Sequence, residues 1–130
     1  LVIADDIYTS MSYEAPFMPF MSLPGMRERT ITINSASKDF VMTGYRIGWT
    51  VSPAHLADAM RKANDVMVFT APAPSQRAAL YALKHRHDVM PPVLEEFRKR
   101  VFKAAELIQS IPKLSVLPLM ETFYLFVNIK

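Results

Sequence analysis

The residues most able to do chemistry lie close together around one lysine. Ser35, Ser37, Lys38, Thr43, Gly44, Tyr45 and Arg46 fall within a dozen positions. Hydroxyls donate single hydrogen bonds, and an arginine offers a planar fork that meets a phosphate with two. Two serines and an arginine around a lysine therefore describe a phosphate pocket with an amine beside it. A lysine that is partly desolvated, or placed next to another cation, retains enough neutral amine to attack a carbonyl and form a Schiff base.

The elements that must position these residues can be read from apolar pattern and punctuation. Leu1-Val2-Ile3-Ala4 is a continuous apolar run closed by two aspartates, the pattern of a strand buried on both faces of a parallel sheet. Thr30 to Ile33 alternates as a second strand, and Arg46 to Val51 reads as a third. Between the first two, residues 9 to 28 form a long apolar connection with Pro16, Pro19, Pro24 and Gly25. Loops of that length are uncommon unless they cover a site or an interface. Its Met11, Met18, Met21 and Met26 are read as adaptable packing or as a cover over the site.

Helices follow. Ser52 as N-cap with Pro53 at the first helical position predicts a helix from Ala54 to Phe69, with Leu56, Ala59, Met60, Ala63, Val66 and Met67 as its apolar stripe. Ser75 is expected to cap a second helix running to Lys84, after the break at Ala71-Pro72-Ala73-Pro74. Pro91-Pro92 is expected to open a long third helix that Pro112 ends, and Phe123 to Ile129 reads as a strand. Strands alternating with helices argue an α/β architecture. Asp5 falls at the end of the first strand and Ser35 and Lys38 at the end of the second, the place where open α/β sheets bind ligands.

Taken together, Ser35-Ala36-Ser37-Lys38 and Met42-Thr43-Gly44-Tyr45-Arg46-Ile47-Gly48 resemble the cofactor-lysine signature of the class I/II aminotransferases, the pyridoxal-phosphate (PLP) enzymes of fold type I. Serine stands three residues before the lysine, another directly before it, and arginine eight after. Upstream, Ala4-Asp5-Asp6-Ile7-Tyr8 resembles the family's strand end, where an aspartate is followed three residues on by a tyrosine. Ala73 to Ala79 resembles its interface segment, and Leu117 to Phe126 the first strand of its small domain. The resemblance covers essentially the whole chain.

That resemblance implies a role for each residue. Lys38 would carry PLP as a Schiff base and, once freed, move a proton between substrate Cα and cofactor. Asp5 would face the pyridine nitrogen and keep it protonated. Tyr8 would hydrogen-bond the phenolic oxygen of the ring, and Ser35 and Arg46, helped by Ser37, would hold the phosphate. Gly44 and Gly48 are expected to permit turns or close backbone approach. The implied protein is a cytoplasmic homodimer exchanging an amino group between an amino acid and a 2-oxo acid by a ping-pong route. Residues 1–88 would be the C-terminal half of its large PLP-binding domain, and 89–130 the connecting helix and the start of the small domain. The family's phosphate-binding N-terminal loop and its substrate-carboxylate arginine match nothing here, so the chain reads as a piece of a longer protein, inactive alone. One departure is Glu121, where the small-domain strand usually has glycine.

Other readings are weaker. Another PLP enzyme, a lyase or synthase, would share nearly all these residues. A PLP-binding regulatory domain would be favoured by a helix-turn-helix pattern upstream of Leu1, and a catalytically silent module is weakened by the intact Asp5, Tyr8, Lys38 and Arg46. The chain has 130 residues, no cysteine and a net charge of +3, and Arg98-Lys99-Arg100 reads as the solvated face of a helix, so neither a disulfide framework nor nucleic-acid binding is favoured. No apolar run approaches the ~18 residues of a membrane span. His55, His85 and His87 lack the spacing and the cysteine or acidic partners of a metal set.

Overall fold

A computed structural model describes residues Leu1–Lys130. Its main sheet has three strands in the order β1 (Val2–Asp5), β2 (Thr30–Ser35) and β3 (Gly48–Val51), with β1 and β2 parallel and β2 and β3 antiparallel. Thr30, Ile31 and Thr32 of the central strand are all buried. On β1 burial alternates, and Leu1 and Ile3 stay exposed at 69% and 66%. The expected burial of β1 on both faces is therefore not what the chain shows. Successive side chains point to opposite faces, and the Ile3 face of this edge strand is left open.

The long connection ahead of β2 holds two short 3-10 turns, Phe20–Ser22 and Arg27–Arg29. Met11 near its start is fully buried, whereas Met18 is exposed. Residues beside Met11 tie this segment to the distant end of the chain. Tyr13 donates its amide to Met120 O at 2.9 Å, and Thr122 donates its own to Met11 O at 2.7 Å. Ser12 and Glu121 form a β-bridge between them. Glu121, the departure from glycine, is thus accommodated in paired backbone, and the left-handed turn falls one residue later, at Thr122 with φ of 60°.

After β2 the chain makes a single helical turn, α1 (Ala36–Asp39), and returns through a 3-10 turn at Thr43–Tyr45 to β3. β3 is shorter than the expected Arg46–Val51, because Arg46 takes a left-handed φ of 51° that an extended strand cannot contain. The helices α2 (Ala54–Met67) and α3 (Ala73–Lys84) follow. Pro53, not Ser52, occupies the N-cap of α2. Its carbonyl accepts from Leu56 and Ala57, and the Ser52 hydroxyl turns to that same carbonyl at 3.4 Å. In α3 the cap is Pro72 and Pro74 lies in the first turn, where a missing N–H costs nothing, so Ser75 is buried inside the helix instead of capping it.

The last helix, α4 (Arg86–Gln109), begins five residues before the expected Pro91 and carries Pro91 and Pro92 inside it. Its first turn is anchored by the buried Met90 and by amides of Asp88 and Val89 bonded to His85 O. It runs without a break through the expected domain boundary. A strand absent from the expectations, β4 (Leu114–Val116), pairs antiparallel with β5 (Val127–Ile129). The expected strand from Phe123 keeps only these last residues, because Phe123 and Tyr124 turn aside toward the Lys38 region.

The core is small. Ala36, Met42, Ala79 and Ala82 are buried together, flanked by Phe40, Ile47, Trp49 and Ala78. Three alanines at this contact let α1 sit close against α3. With Ala36 turned inward, Lys38 is left half-buried at the site.

Candidate active site

Each predicted residue sits at an element end for a local reason. Ser35 is the last residue of β2 and the N-cap of α1, its Oγ accepting from Ser37 N at 3.1 Å and donating to Ile47 O at 3.4 Å. The cap stops the strand and starts the turn that presents Lys38. Asp5 ends β1 exposed, and the chain then turns so that Tyr8 lies half-buried behind it.

Three of the predicted residues are brought together. The Lys38 Nζ lies 5.7 Å from the centroid of the Phe123 ring, within cation–π range. Tyr8 meets the same ring edge-on at 5.5 Å, and Phe97 stacks against it at 5.4 Å. The Tyr8 Oη is 2.9 Å from Tyr124 Oη. Desolvation, then the Tyr124 hydroxyl, then the charge of Asp5 push the Tyr8 phenol up to about 12, so it stays a protonated donor at neutral pH.

Lys38 makes no ion pair, although Asp39 adjoins it. That carboxylate is engaged elsewhere, its Oδ2 accepting from Ser10 at 2.9 Å and Thr9 at 3.3 Å. Burial raises the Asp39 carboxyl above its usual range, and the two hydroxyls and Arg86 pull it partly back. These bonds lock the turn after β1 to α1, and so fix Tyr8 relative to Lys38.

The phosphate side is looser. Ser37 contributes only its amide to the cap, so its hydroxyl is free. Arg46 is exposed and donates Nη1 to Thr43 O at 2.9 Å, with no bond to Ser35 or Ser37, which leaves four of the five guanidinium N–H donors for a ligand. Gly48 faces Ser35 across the ladder, and a Cβ there would stand 2.5 Å from Asn34 O, so close backbone approach requires glycine. Gly44 differs from expectation. A Cβ would meet nothing within 4 Å, and its φ is not left-handed.

The aromatic wall of Phe97, Phe123 and Tyr124 was not anticipated as part of the site. The run Phe123-Tyr124-Leu125-Phe126 was visible, but nothing local in it points to a lysine so far away. A groove of about 500 Å³ lined by residues including Thr9, Ser10, Arg86 and His87 contains none of Asp5, Tyr8, Lys38 or Arg46. His85 packs on Tyr81 with centroids 4.2 Å apart, a structural position.

An unpaired amine, an exposed carboxylate, a protonated phenol and a hydroxyl–guanidinium set suit a ligand with a carbonyl, a basic ring nitrogen, an oxyanion and a phosphate. PLP has all four, and the residues present fit it.

Over 98% of the chain the structure superposes on the aspartate aminotransferase of Rhizobium meliloti with a TM-score of 0.91 and 29% identity, covering 32% of that chain. The aromatic aminotransferase of Pyrococcus horikoshii OT3 gives a TM-score of 0.90 at 30% identity, over 98% of this chain and 35% of the other. The architecture is mixed α/β and matches the fold-type I aminotransferases. Among sequence relatives, the bifunctional aspartate aminotransferase and glutamate/aspartate-prephenate aminotransferase of Petunia hybrida is 34% identical over 99% of this chain and 28% of its own length. The arginine–pyruvate transaminase AruH of Pseudomonas aeruginosa is 34% identical over 87% of this chain and 29% of its own length. The pattern defining aminotransferase class I and II matches residues 1–130, and the chain belongs to that family. Members of this family generally depend on PLP. The chain spans about a quarter to a third of the length of these relatives. No helix is long and apolar enough to cross a membrane.

Proposed function

We propose that the protein containing this chain is a PLP-dependent aminotransferase that moves an amino group between an amino acid and a 2-oxo acid, with Lys38 as the residue that carries the cofactor. The observation that supports this most directly is an amine with no carboxylate partner, sharing the Phe123 ring with a tyrosine that feels the charge of Asp5. When bound, PLP supplies an electron sink that stabilises the charge left at Cα after its proton departs.

The chain's own residues do the rest. Lys38 Nζ, held off any carboxylate, is free to bond the cofactor and later to take and return the Cα proton. Asp5 holds a proton on the ring nitrogen. Tyr8, protonated at working pH, donates to the ring oxygen. Ser35, Ser37 and Arg46 anchor the phosphate through donors not consumed by the local fold. We propose residues 1–88 as part of the cofactor-binding domain and 89–130 as the start of a second, in keeping with the separate β4–β5 pair. A cytoplasmic homodimer is the proposed assembly, and the exposed Val66, Met67 and Phe69 at the end of α2 are suited to burial against other chain.

The test is borohydride reduction of the PLP-loaded full-length protein, followed by peptide mapping. A pyridoxyl adduct on Lys38 that disappears when an amino acid is added first, with a 2-oxo acid as product, is the expected result. No adduct, or one on another lysine, would overturn the reading. An adduct on Lys38 with a product other than a 2-oxo acid would make the protein a PLP enzyme of another class.

A further inference from the structure

We propose that Tyr124 is a positioning residue for Tyr8, its hydroxyl donating to Tyr8 Oη so that Tyr8 gives its own proton to the ring oxygen of the cofactor. The proposal rests on the reading above that Tyr8 faces that oxygen.

The geometry carries it as follows. The two phenol oxygens are 2.9 Å apart, and either could be the donor. Each phenol has one proton to give. If Tyr8 donated to Tyr124, it would have no proton left for a ligand. Only the reverse direction leaves Tyr8 free to donate, and hydrogen bonds chained in this sense polarise and strengthen one another.

Tyr124 is also held in place, though it comes from 116 residues further along the chain. Its amide donates to Thr122 Oγ1 at 3.2 Å. Thr122 donates its amide to Met11 O at 2.7 Å, and Tyr13 Oη donates to Thr122 O at 2.9 Å. The ring meets Tyr8 nearly perpendicular, with centroids 5.7 Å apart, and packs on Phe123 at 4.8 Å. The backbone joint that fixes Tyr124 therefore grows out of the same turn that carries Tyr8. The Tyr124 hydroxyl raises the ionisation of Tyr8, as it does when Tyr8 donates to it, so a Tyr8 proton given to the ring oxygen requires the pair to reverse, with Tyr124 as the donor. A tyrosine placed only for packing would have no need of a hydroxyl aimed at another hydroxyl, least of all at a position that is 60% exposed.

The test is the pH midpoint of the visible absorbance change of the bound cofactor in the full-length protein. A donor at the ring oxygen favours its deprotonated form and lowers that midpoint, so weakening the donor raises it. Tyr124→Phe keeps the ring and, at an exposed position, keeps the fold. It is expected to move the midpoint up by roughly 0.3 to 0.5 pH units, the share expected of one bond in a short chain. Tyr8→Phe should move it further, and the double variant no further than Tyr8→Phe alone. A shift of less than about 0.1 unit in Tyr124→Phe would overturn the proposal while leaving Tyr8 its role. So would a Tyr124→Phe shift that persists undiminished in the Tyr8→Phe background. If Tyr8→Phe itself leaves the midpoint unmoved, the reading of Tyr8 fails and this proposal fails with it.

Discussion

At Gly48 the backbone of β3 passes so near β2 that a side chain has no room. An added Cβ would stand 2.5 Å from Asn34 O, 3.5 Å from Ser35 Cα and 3.6 Å from Asn34 C. The nearest of these is a backbone oxygen and cannot swing away. Reaching even 3.0 Å requires the strands to part by 0.5 Å (3.0 minus 2.5), at the step where Ser35 pairs with Gly48. Overpacking of this kind costs ~1–3 kcal/mol. The expected melting temperature of the full-length Gly48→Ala variant is therefore about 2–12 °C lower, at ~2–4 °C per kcal/mol for a large chain. Part of the cost falls on the site, since Ser35 caps the Lys38 turn and Ala36 N bonds Ile47 O at 3.2 Å across the same junction. If 1–2 kcal/mol is expressed there, cofactor affinity falls by roughly 5–30-fold. Thermal unfolding with and without PLP, together with a cofactor titration, reads both. An alanine variant within ~0.5 kcal/mol of the parent, with unchanged affinity, would refute the argument that this approach needs glycine.

Three further predictions follow from the same physics. Gly25 has open space around it but a φ of 73°, so Gly25→Ala should cost about 1 kcal/mol, whereas Gly44→Ala, with open space and an ordinary φ, should be neutral in the same melt. Tyr8 is held above its ordinary value of 10.0, to about 12, so folding favours its protonated form. The stability it contributes is intact below pH 10 and is lost as pH rises from 10 toward 12, and Tyr8→Phe should flatten alkaline melting curves across that window. Asp39 is raised above 3.8 by burial, so its native state binds a proton more readily than its unfolded state. Its charged form is thus disfavoured in the folded state at neutral pH, where Asp39→Asn should stabilise slightly, with the gain vanishing below the ordinary carboxyl value of 3.8. A melting series from acid to neutral pH checks it.

The grouping of the candidate residues was legible because they are nearly contiguous. Ser35, Ser37, Lys38, Arg46 and Gly48 lie on one strand–turn–strand passage, and Asp5 and Tyr8 on the end of the neighbouring strand, so spacing along the chain is also spacing in the fold. The aromatic wall was not legible. Phe123 reaches Lys38 only through the joint between residues 11–13 and 120–122, a non-local pairing that no local pattern encodes. Helix starts failed where proline was read as a boundary, since Pro74, Pro91 and Pro92 all sit inside helices, in or near the first turns. The left-handed Arg46 shortened a strand whose residue types suited extended backbone throughout. Such a φ depends on how the turn closes, not on the residue.

The surroundings of Asp39 bear on the covalent role proposed for Lys38. An aspartate directly after a lysine is the nearest partner for an ion pair, and such a pair would hold the amine protonated and hydrogen-bonded. Here the carboxylate turns the other way, receives hydroxyl bonds from Thr9 and Ser10, and feels the charge of Arg86. Lys38 faces an aromatic ring instead. A ring attracts a cation weakly, by roughly 0.5–1 kcal/mol where exposed, and offers no oxygen to accept its protons. The amine is therefore placed without being sequestered. The same two hydroxyl bonds that hold Asp39 also fix the turn carrying Tyr8, so one small network both keeps this carboxylate occupied away from the Lys38 amine and registers the phenol beside it.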